Sequence, residues 1–435
     1  MAKPTGTVHK TDPVSAAWPT LCRVGIVKLL FGVAFVVNVF QIFSFHTVRQ
    51  EQQDFAHYYV SSKLWLEGED VYGVNLQPHY DKLGWHEFDE PVDHATNPPP
   101  LLALFAPLTS LDPPVAHSAW MLVQLLAMIS AAWFTWKCVR ETISLDSFTL
   151  ILAIFLFLPF LQVHFFYSQV QLLLMAMILF AHWLVHSAND NVADSKFHGV
   201  LACMVIAIAA LIKVYPLVLI PWFVWRCDRN ISGRVIGGMV AMVTVVVGVW
   251  LTDFSLWQGF AKHGLSTVSA WIKASPECFT IGNASHQLGT LLTGDINSDL
   301  FVRIGSIIGI GLLTVFYIRL LFRPADPGRQ QTNIELALLI LLMLFCGGTC
   351  WWHYLVFLFF PFQVIASQLK NRLSLLTYGA VFPGLLLFAN IIVPETNMEL
   401  LNRLLGQRPL IGMLLMATFL AFNLKSNEHQ PASDR

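Results

Sequence analysis

Long apolar runs recur from one end of the chain to the other, and they restrict its fold more than any other feature. Most approach the roughly 20 residues with which an α-helix crosses the hydrocarbon core of a bilayer. Hydrophobic residues make up 55% of the 435 residues and charged residues only 12%, which is far too few charges for a soluble domain. Backbone groups inside lipid must hydrogen-bond within their own segment, and runs of this length do so as helices. The sequence therefore predicts an all-α polytopic membrane protein.

About twelve of these runs are candidate membrane spans. They lie near residues 21–45, 114–136, 147–163, 168–186, 199–212, 213–226, 231–252, 300–322, 333–349, 351–367, 373–392 and 409–424. The first run is too long for a signal-peptide core and has no small-residue cleavage site after it, so we interpret it as a retained span. We expect one integral membrane domain over residues 1–435.

Two long loops separate the spans, at 46–112 and 253–299. In the first, the proline-rich stretch 98–111 is too short to cross a membrane, so it is expected to form a re-entrant or interfacial helix. Of the 26 Lys and Arg residues, 16 fall in segments on the same side as the N-terminus, and the 46–112 loop carries eleven acids against three bases. By the positive-inside rule both termini are predicted to be cytoplasmic and both long loops to lie outside. The seven cysteines show no disulfide or zinc spacing.

Polar residues embedded in the apolar sequence all fall on the predicted outer side. They are Asp54, His57, Asn97, His164, Gln169, Lys213, the stretch Asn283 to Gln287, and His353. Unrelated polar residues would be expected at both faces, whereas ionisable groups that gather at one depth of a membrane indicate a functional site.

Asp54 and Lys213 each have one functional and one purely structural interpretation. Asp54 follows the first span and could act as a general base for a hydroxyl nucleophile, or it could simply cap a helix. Lys213 interrupts an apolar run at a cost of roughly 2.5 to 3.5 kcal/mol unless it is paired. A phosphate would suit this point charge, and the alternative is a side chain that extends to the lipid headgroups.

Three further segments carry polar or aromatic groups. The acidic, aromatic-rich stretch 68–97 suits sugar binding but also fits a solvated loop, and its His79, His86 and His94 leave open a metal site although their spacing matches no ligand motif. Residues 282–289, GNASHQLG, could line a phosphate or sugar pocket or form a plain polar turn. His353 lies between aromatic residues that also fit an interfacial belt.

The order of these motifs is more informative than any one of them. The order is Asp54-Phe55 with Tyr58 and Tyr59, Asp70-Val71-Tyr72, Asn97-Pro98-Pro99-Pro100-Leu101, Ser168-Gln169-Val170-Gln171, Lys213-Val214-Tyr215-Pro216, Asn283 to Gln287, and Trp352-His353-Tyr354. From Asp54 to about Pro361 the chain resembles glycosyltransferase family 87, polyprenyl-phosphate-sugar-dependent membrane enzymes of GT-C architecture that include mycobacterial α-mannosyltransferases. Two places depart from the family pattern: the chain has Ser168-Gln169-Val170-Gln171 where such proteins often show a Gly-Gln-Val-Asn run, and Asn97 replaces a tyrosine that is common before the prolines.

The resemblance implies transfer of mannose or another hexose or pentose from a polyprenyl-phosphate donor to a hydroxyl of a lipid or glycan acceptor. Asp54 would be the general base of an inverting reaction at the outer face of a bacterial cytoplasmic membrane. Candidate ligands of the leaving phosphate are Lys213, His286 and His353. Candidates for donor or acceptor binding are His57, Tyr58, Asn97, Gln169, Gln171, Asn283 and Gln287.

The expected partners are the lipid-linked sugar, its acceptor and membrane lipids, with no nucleic acid. No cofactor or metal is expected, because a lipid-phosphate leaving group needs no metal bridging a diphosphate. A polytopic transporter of a small or lipid-linked solute is the alternative, and it predicts two similar halves with broken helices in corresponding places. No such repeat is visible in the sequence.

Overall fold

The computed structural model of the chain describes residues 54–85, 95–156, 158–190, 195–228, 230–266, 278–293, 299–323, 328–347, 349–369 and 407–426, with single residues between 25 and 40. Within these ranges the regular structure is entirely helical. The predicted all-α fold is therefore confirmed for the described part of the chain.

The α-helices of these ranges are numbered in chain order. They are α1 Asp54–Leu66, α2 Gln77–Asp81, α3 Pro99–Phe105, α4 Pro113–Val139, α5 Leu145–Leu156, α6 Pro159–Tyr167, α7 Gln171–Asp190, α8 Ser195–Ile212, α9 Ile220–Arg226, α10 Ile231–Leu251, α11 Phe254–Gly259, α12 Ile281–Thr293, α13 Asp299–Leu321, α14 Arg329–Cys346, α15 Phe359–Leu369 and α16 Arg408–Ser426.

Four of the described helices are long and apolar enough to cross a membrane: α4, α10, residues Leu300–Leu321 of α13, and α14. A fifth span results if α5 and α6, which meet at a bend of 58°, are counted as one. The bend has a local cause, because the extended Leu158 precedes Pro159 and a residue before proline avoids the helical region. The chain is thus an integral membrane protein by composition and helix length. The count of twelve spans stays a prediction, since 21–45 lies largely and 373–392 wholly outside the described residues.

Besides the run 147–163, which is broken between α5 and α6, two predicted spans are not continuous α-helices, and the prediction is corrected at all three. The run 213–226 begins with the 3-10 helix Tyr215–Leu219 and becomes α-helical only in α9. Pro216 and Pro221 explain the break, because each lacks a backbone N–H and fits only a first turn. The run 351–367 likewise begins as the 3-10 helix Trp352–Leu358 before α15.

The two predicted loops are largely helical in their described parts. The first contains α1 and α2, and the stretch 98–111 forms α3 and a 3-10 helix, Ala106–Ser110, as its prolines at the first turn favour. Helix α1 packs on α3, with the ring of Phe105 4.9 Å from that of Tyr58. The second contains α11 and α12, so the interpretation of GNASHQLG as a polar turn is wrong: these residues lie inside α12.

The helices divide into an inner and an outer set. Helix α14 is buried along nearly its whole length, from Gln331 to Phe345. By contrast, α10 and α13 expose large apolar side chains such as Val243, Val246 and Ile307. A helix that is apolar all round is either buried in protein or faces lipid. Helices α10 and α13 therefore have the surface expected of helices at a lipid boundary.

Candidate functional site

Asp54 begins α1 at one end of the helical assembly. Its side chain remains partly exposed, whereas the residues from Phe55 to Ser62 that follow it are buried. Burial in the surrounding protein raises the pKa of the Asp54 carboxyl from its ordinary value to about 6, and the positive charge of Lys213 opposes part of that rise. A carboxyl group with this pKa is mostly ionised at neutral pH and can accept a proton.

Lys213 follows α8 and is held by a side chain from a distant part of the sequence. Its Nζ donates a hydrogen bond of 2.5 Å to Oδ1 of Asn97 and lies 5.9 Å from the centre of the Tyr58 ring. Asn97 is itself buried, and its backbone oxygen accepts a hydrogen bond of 2.5 Å from the hydroxyl of Tyr72. The ammonium group is therefore directed inward among protein groups, not extended toward lipid headgroups.

His57 lies one turn after Asp54, and both of its ring nitrogens are engaged. Nε2 accepts the backbone N–H of Thr96 at 3.2 Å, so Nδ1 carries the proton and donates to the hydroxyl of Tyr80 at 3.2 Å. Burial, together with the positive charge of Lys213, lowers the pKa of His57 to about 4. The ring is neutral, and it anchors the segment that leads to Asn97 instead of presenting a free nitrogen to a ligand.

Ser168 and Gln169 form a tight turn between α6 and α7. Ser168 has the left-handed backbone conformation, with φ of 53°, that glycine adopts without strain. Its hydroxyl pairs with Nε2 of His117 at 2.9 Å, and its backbone oxygen accepts Nε1–H of Trp120 at 2.7 Å. Gln124 donates to the backbone oxygen of Gln169. Helix α4 thus holds the turn with one face of polar side chains.

The turn is connected to α1 through Tyr58, whose hydroxyl donates to Oε1 of Gln169 at 2.9 Å. Gln171, two residues further on, is fully buried, and neither polar atom of its side-chain amide has a hydrogen-bond partner among the described residues. A buried amide without partners is costly unless a ligand or water completes its hydrogen bonds.

His353 is half-buried in the 3-10 helix that precedes α15. Its ring centre lies 6.0 Å from that of Tyr167 and 4.9 Å from that of Tyr354, whose ring is 5.2 Å from Tyr215. Tyr215 is two residues from Lys213, and its hydroxyl has no hydrogen-bond partner among the described residues. This aromatic cluster places His353 beside both the Ser168 turn and the Lys213 segment.

Asn283, His286 and Gln287 are buried in α12. Asn283 accepts a hydrogen bond of 3.3 Å from Gln407, and no hydrogen bond, ion pair or ring contact in the described ranges joins these three residues to Asp54 or Lys213. Instead α12 is connected to the His353 segment, because the N–H of Phe279 donates to the backbone oxygen of Cys350 at 2.7 Å.

The structure thus brings most of the sequence-predicted residues into one region. They are held there by hydrogen bonds from residues that the sequence analysis did not identify. Thr96, His117 and Gln124 carry much of the positioning. His117 and Gln124 are seven residues apart on α4, a spacing that puts two polar groups on one helix face and could have indicated them. Of the three histidines considered for a metal, His86 and His94 lie outside the described residues.

Comparison with known protein families identifies the family of this chain. The family model of glycosyltransferase family 87 matches residues 95–346, which is more than half of the chain and runs from the segment before Asn97 to the end of α14. No curated protein matches the chain.

Proposed function

The chain belongs to glycosyltransferase family 87 and is a membrane glycosyltransferase, and from that premise we propose its donor, acceptor and mechanism. The donor is a sugar, mannose or another hexose or pentose, carried on a polyprenyl phosphate. The acceptor is a hydroxyl of a lipid or glycan at the outer face of a bacterial cytoplasmic membrane. Because the chain belongs to a glycosyltransferase family, we do not propose that it is a transporter.

The observation that carries the proposal is that a partly exposed acid and an inwardly directed ammonium group lie within electrostatic reach of each other. Asp54 is at the start of α1, Lys213 is held by Asn97 beside the ring of Tyr58, and the charge of Lys213 lowers the pKa of Asp54. Transfer from a lipid phosphate requires a proton acceptor for the nucleophile and a positive charge for the leaving group. Asp54 and Lys213 supply these two functions in one region.

In the proposed step, Asp54 takes the proton of the acceptor hydroxyl as that oxygen forms a bond to the anomeric carbon. The bond from the anomeric carbon to the phosphate oxygen breaks with inversion, and its electron pair leaves on the polyprenyl phosphate. Lys213 compensates the negative charge that develops there, and His353 donates to or orients the same phosphate. Since one phosphate leaves and no diphosphate is present, we propose that no metal takes part.

The remaining candidates divide into contacting and positioning roles. Gln169 and the unpartnered amide of Gln171 are proposed to bind sugar or acceptor hydroxyls, with Tyr58 orienting Gln169 at 2.9 Å. His57 is a positioning residue, because Tyr80 holds its ring and its Nε2 accepts the N–H of Thr96, next to Asn97. For Asn283, His286 and Gln287 we propose a supporting role behind His353.

The test compares membranes that contain wild type, Asp54→Asn or Glu67→Gln, each given a panel of radiolabelled polyprenyl-phosphate sugars. Glu67 is an exposed acid just beyond α1 and serves as the matched control. We expect transfer by wild type and Glu67→Gln, and a loss on the order of 100-fold or more in Asp54→Asn at equal expression, since general base catalysis contributes about 10²–10⁴-fold.

Full activity in Asp54→Asn would remove Asp54 from the mechanism. Transfer by wild type from a nucleotide-linked sugar, and from no lipid phosphate, would refute the proposed donor. The sugar that is transferred also identifies the donor specificity.

A further inference from the structure

A second cluster of polar side chains lies at the opposite end of α4 from the site. Cys138 is near the end of α4, His182 and His186 are one turn apart on α7, and all three are buried. Their potential ligand atoms lie within 4.8 Å of one another. Cys138 is 21 residues beyond His117, which corresponds to about 30 Å along the helix. The cluster is therefore remote from Asp54 and Lys213.

Asn333 of α14 completes the cluster. Its Oδ1 lies 2.8 Å from Nε2 of His182 and 3.1 Å from Nε2 of His186, and the two nitrogens are 3.0 Å apart. The side-chain nitrogen of Asn333 donates to the backbone oxygen of Cys138 at 2.9 Å, which directs Oδ1 at the histidines. Two imidazole nitrogens and one amide oxygen thus form a nearly equilateral triangle.

The three atoms fit two protonation patterns. In the first, each histidine carries its proton on Nε2 and both donate to Asn333 Oδ1, whose two lone pairs can accept them. In the second, both protons lie on Nδ1, and three lone-pair-bearing atoms face one another at 2.8 to 3.1 Å in a buried site. The second pattern is the one that presents a ligand set to a cation.

A cation suits the second pattern. The centre of a triangle of this size is about 1.7 Å from each corner, so an ion about 1.2 Å above its plane reaches all three atoms at the roughly 2.0–2.2 Å typical of Zn²⁺ with nitrogen and oxygen. The Cys138 thiolate would need a distance of about 2.3 Å, and its position within 4.8 Å of the histidine nitrogens allows it to be the fourth ligand after a small adjustment. Imidazole and thiolate together favour zinc over magnesium or calcium.

The surroundings of His182 are compatible with ligation through Nε2. Metal binding at Nε2 leaves the proton on Nδ1, and that atom has no hydrogen-bond partner among the described residues. The His182 and Phe360 rings are nearly perpendicular, with centres 5.4 Å apart and an angle of 76°.

We propose that Cys138, His182, His186 and Asn333 bind one Zn²⁺ ion, which ties the end of α4 to α7 and to the start of α14. The ion is structural and takes no part in glycosyl transfer. It cross-links three helices whose other ends hold the Ser168 turn and the His353 segment. Its binding to the folded chain alone would stabilise the protein by mass action.

The test uses the full chain, purified in detergent, stripped with a chelator and titrated with Co²⁺ as a spectroscopic probe. We expect one Co²⁺ per chain, visible bands of a tetrahedral ion, a thiolate-to-cobalt band in the near ultraviolet, and displacement by Zn²⁺. Cys138→Ala should lose the thiolate band and bind more than about tenfold more weakly. Cys203→Ala, which removes a fully buried cysteine of α8, should keep both properties.

A wild-type titration without the thiolate band, or a thiolate band that persists in Cys138→Ala, would overturn the proposal. The wild-type titration decides the matter even if a variant does not fold. As a second measurement that needs no variant, Zn²⁺ added to the stripped wild type should raise its apparent Tm, and an unchanged Tm would contradict the structural role.

Discussion

At the residue scale, the environment of the Asp54 carboxyl predicts how the rate of sugar transfer depends on pH. A base must be unprotonated to act, and the pKa of this carboxyl is raised to about 6 by burial. We expect kcat/KM to fall about tenfold per pH unit below that value and to level off above it. The measurement is the rate of sugar transfer across pH in a series of buffers at constant ionic strength.

Lys213 provides the control for this pH profile. Its positive charge holds the pKa of Asp54 below the value that burial alone would give. Replacement by an uncharged side chain, Lys213→Met, should therefore move the midpoint of the acid limb to higher pH, in addition to lowering the maximal rate. A midpoint near the ordinary Asp value of about 3.9 in wild type would contradict the buried-base interpretation.

Ser168 gives a second prediction at this scale. The left-handed conformation costs a non-glycine residue roughly 1–2 kcal/mol, and the hydrogen bond from its side chain to His117 offsets part of that cost. Ser168→Ala keeps the strain and loses the bond, so we expect a loss of about 1–2 kcal/mol in stability. Ser168→Gly loses the bond but also relieves the strain, so it should be close to wild type.

The apparent Tm in detergent measures this order. Ser168→Ala more stable than Ser168→Gly would show that the backbone is not strained at this position. Relief of backbone strain in Ser168→Gly would also give a physical reason for the glycine that other members of the family often have at this position.

At the element scale, the inner helix α14 is joined to α9 by a buried ion pair. Arg226 donates to Glu335 through NH2 at 2.8 Å and Nε at 3.0 Å, and Trp222 adds a third hydrogen bond at 3.1 Å. Removal of one partner leaves an uncompensated buried charge, so Glu335→Gln should lower the free energy of unfolding by about 3–5 kcal/mol. A large fall in the apparent Tm is the expected result.

The matched control is the exposed ion pair between Glu141 and Arg329, at 2.5 Å. Glu141→Gln should change stability by less than about 1 kcal/mol, because exposed pairs are screened by water. If both variants behaved alike, the Arg226–Glu335 pair would not be the connection between α9 and α14 that its burial indicates.

The whole molecule has an orientation that the distribution of Lys and Arg predicts. Lys82 lies in the predicted outer segment and Arg140 in a predicted cytoplasmic one, and both are exposed. We expect Lys82→Cys to react with a membrane-impermeant maleimide in intact cells, and Arg140→Cys to react only after permeabilisation. Wild type supplies the background from the native cysteines, and the reverse pattern of labelling would invert the topology.

The sequence by itself determined that this protein lies in a membrane and is helical, and it predicted the ionisable residues of the candidate site. Apolar runs of membrane length leave the backbone no option but helices, so the fold class follows from composition and run length alone. Asp54, Lys213 and His353 stand out because ionisable groups in apolar sequence are costly, and that cost is visible without a structure. Breaks at Pro159, Pro216 and Pro221 were equally readable in principle, although the predicted spans ran across them.

Only the tertiary structure decided which of these groups meet and what holds them. Asn97 pairs with Lys213 across 116 positions, and the Ser168 turn is held by α4 from about 50 positions away. Likewise, Asn333 reaches His182 from 151 positions away, so the one-turn spacing of His182 and His186 indicates only part of the second cluster. Partners so far apart in the chain are chosen by helix packing, and local patterns carry no information about it.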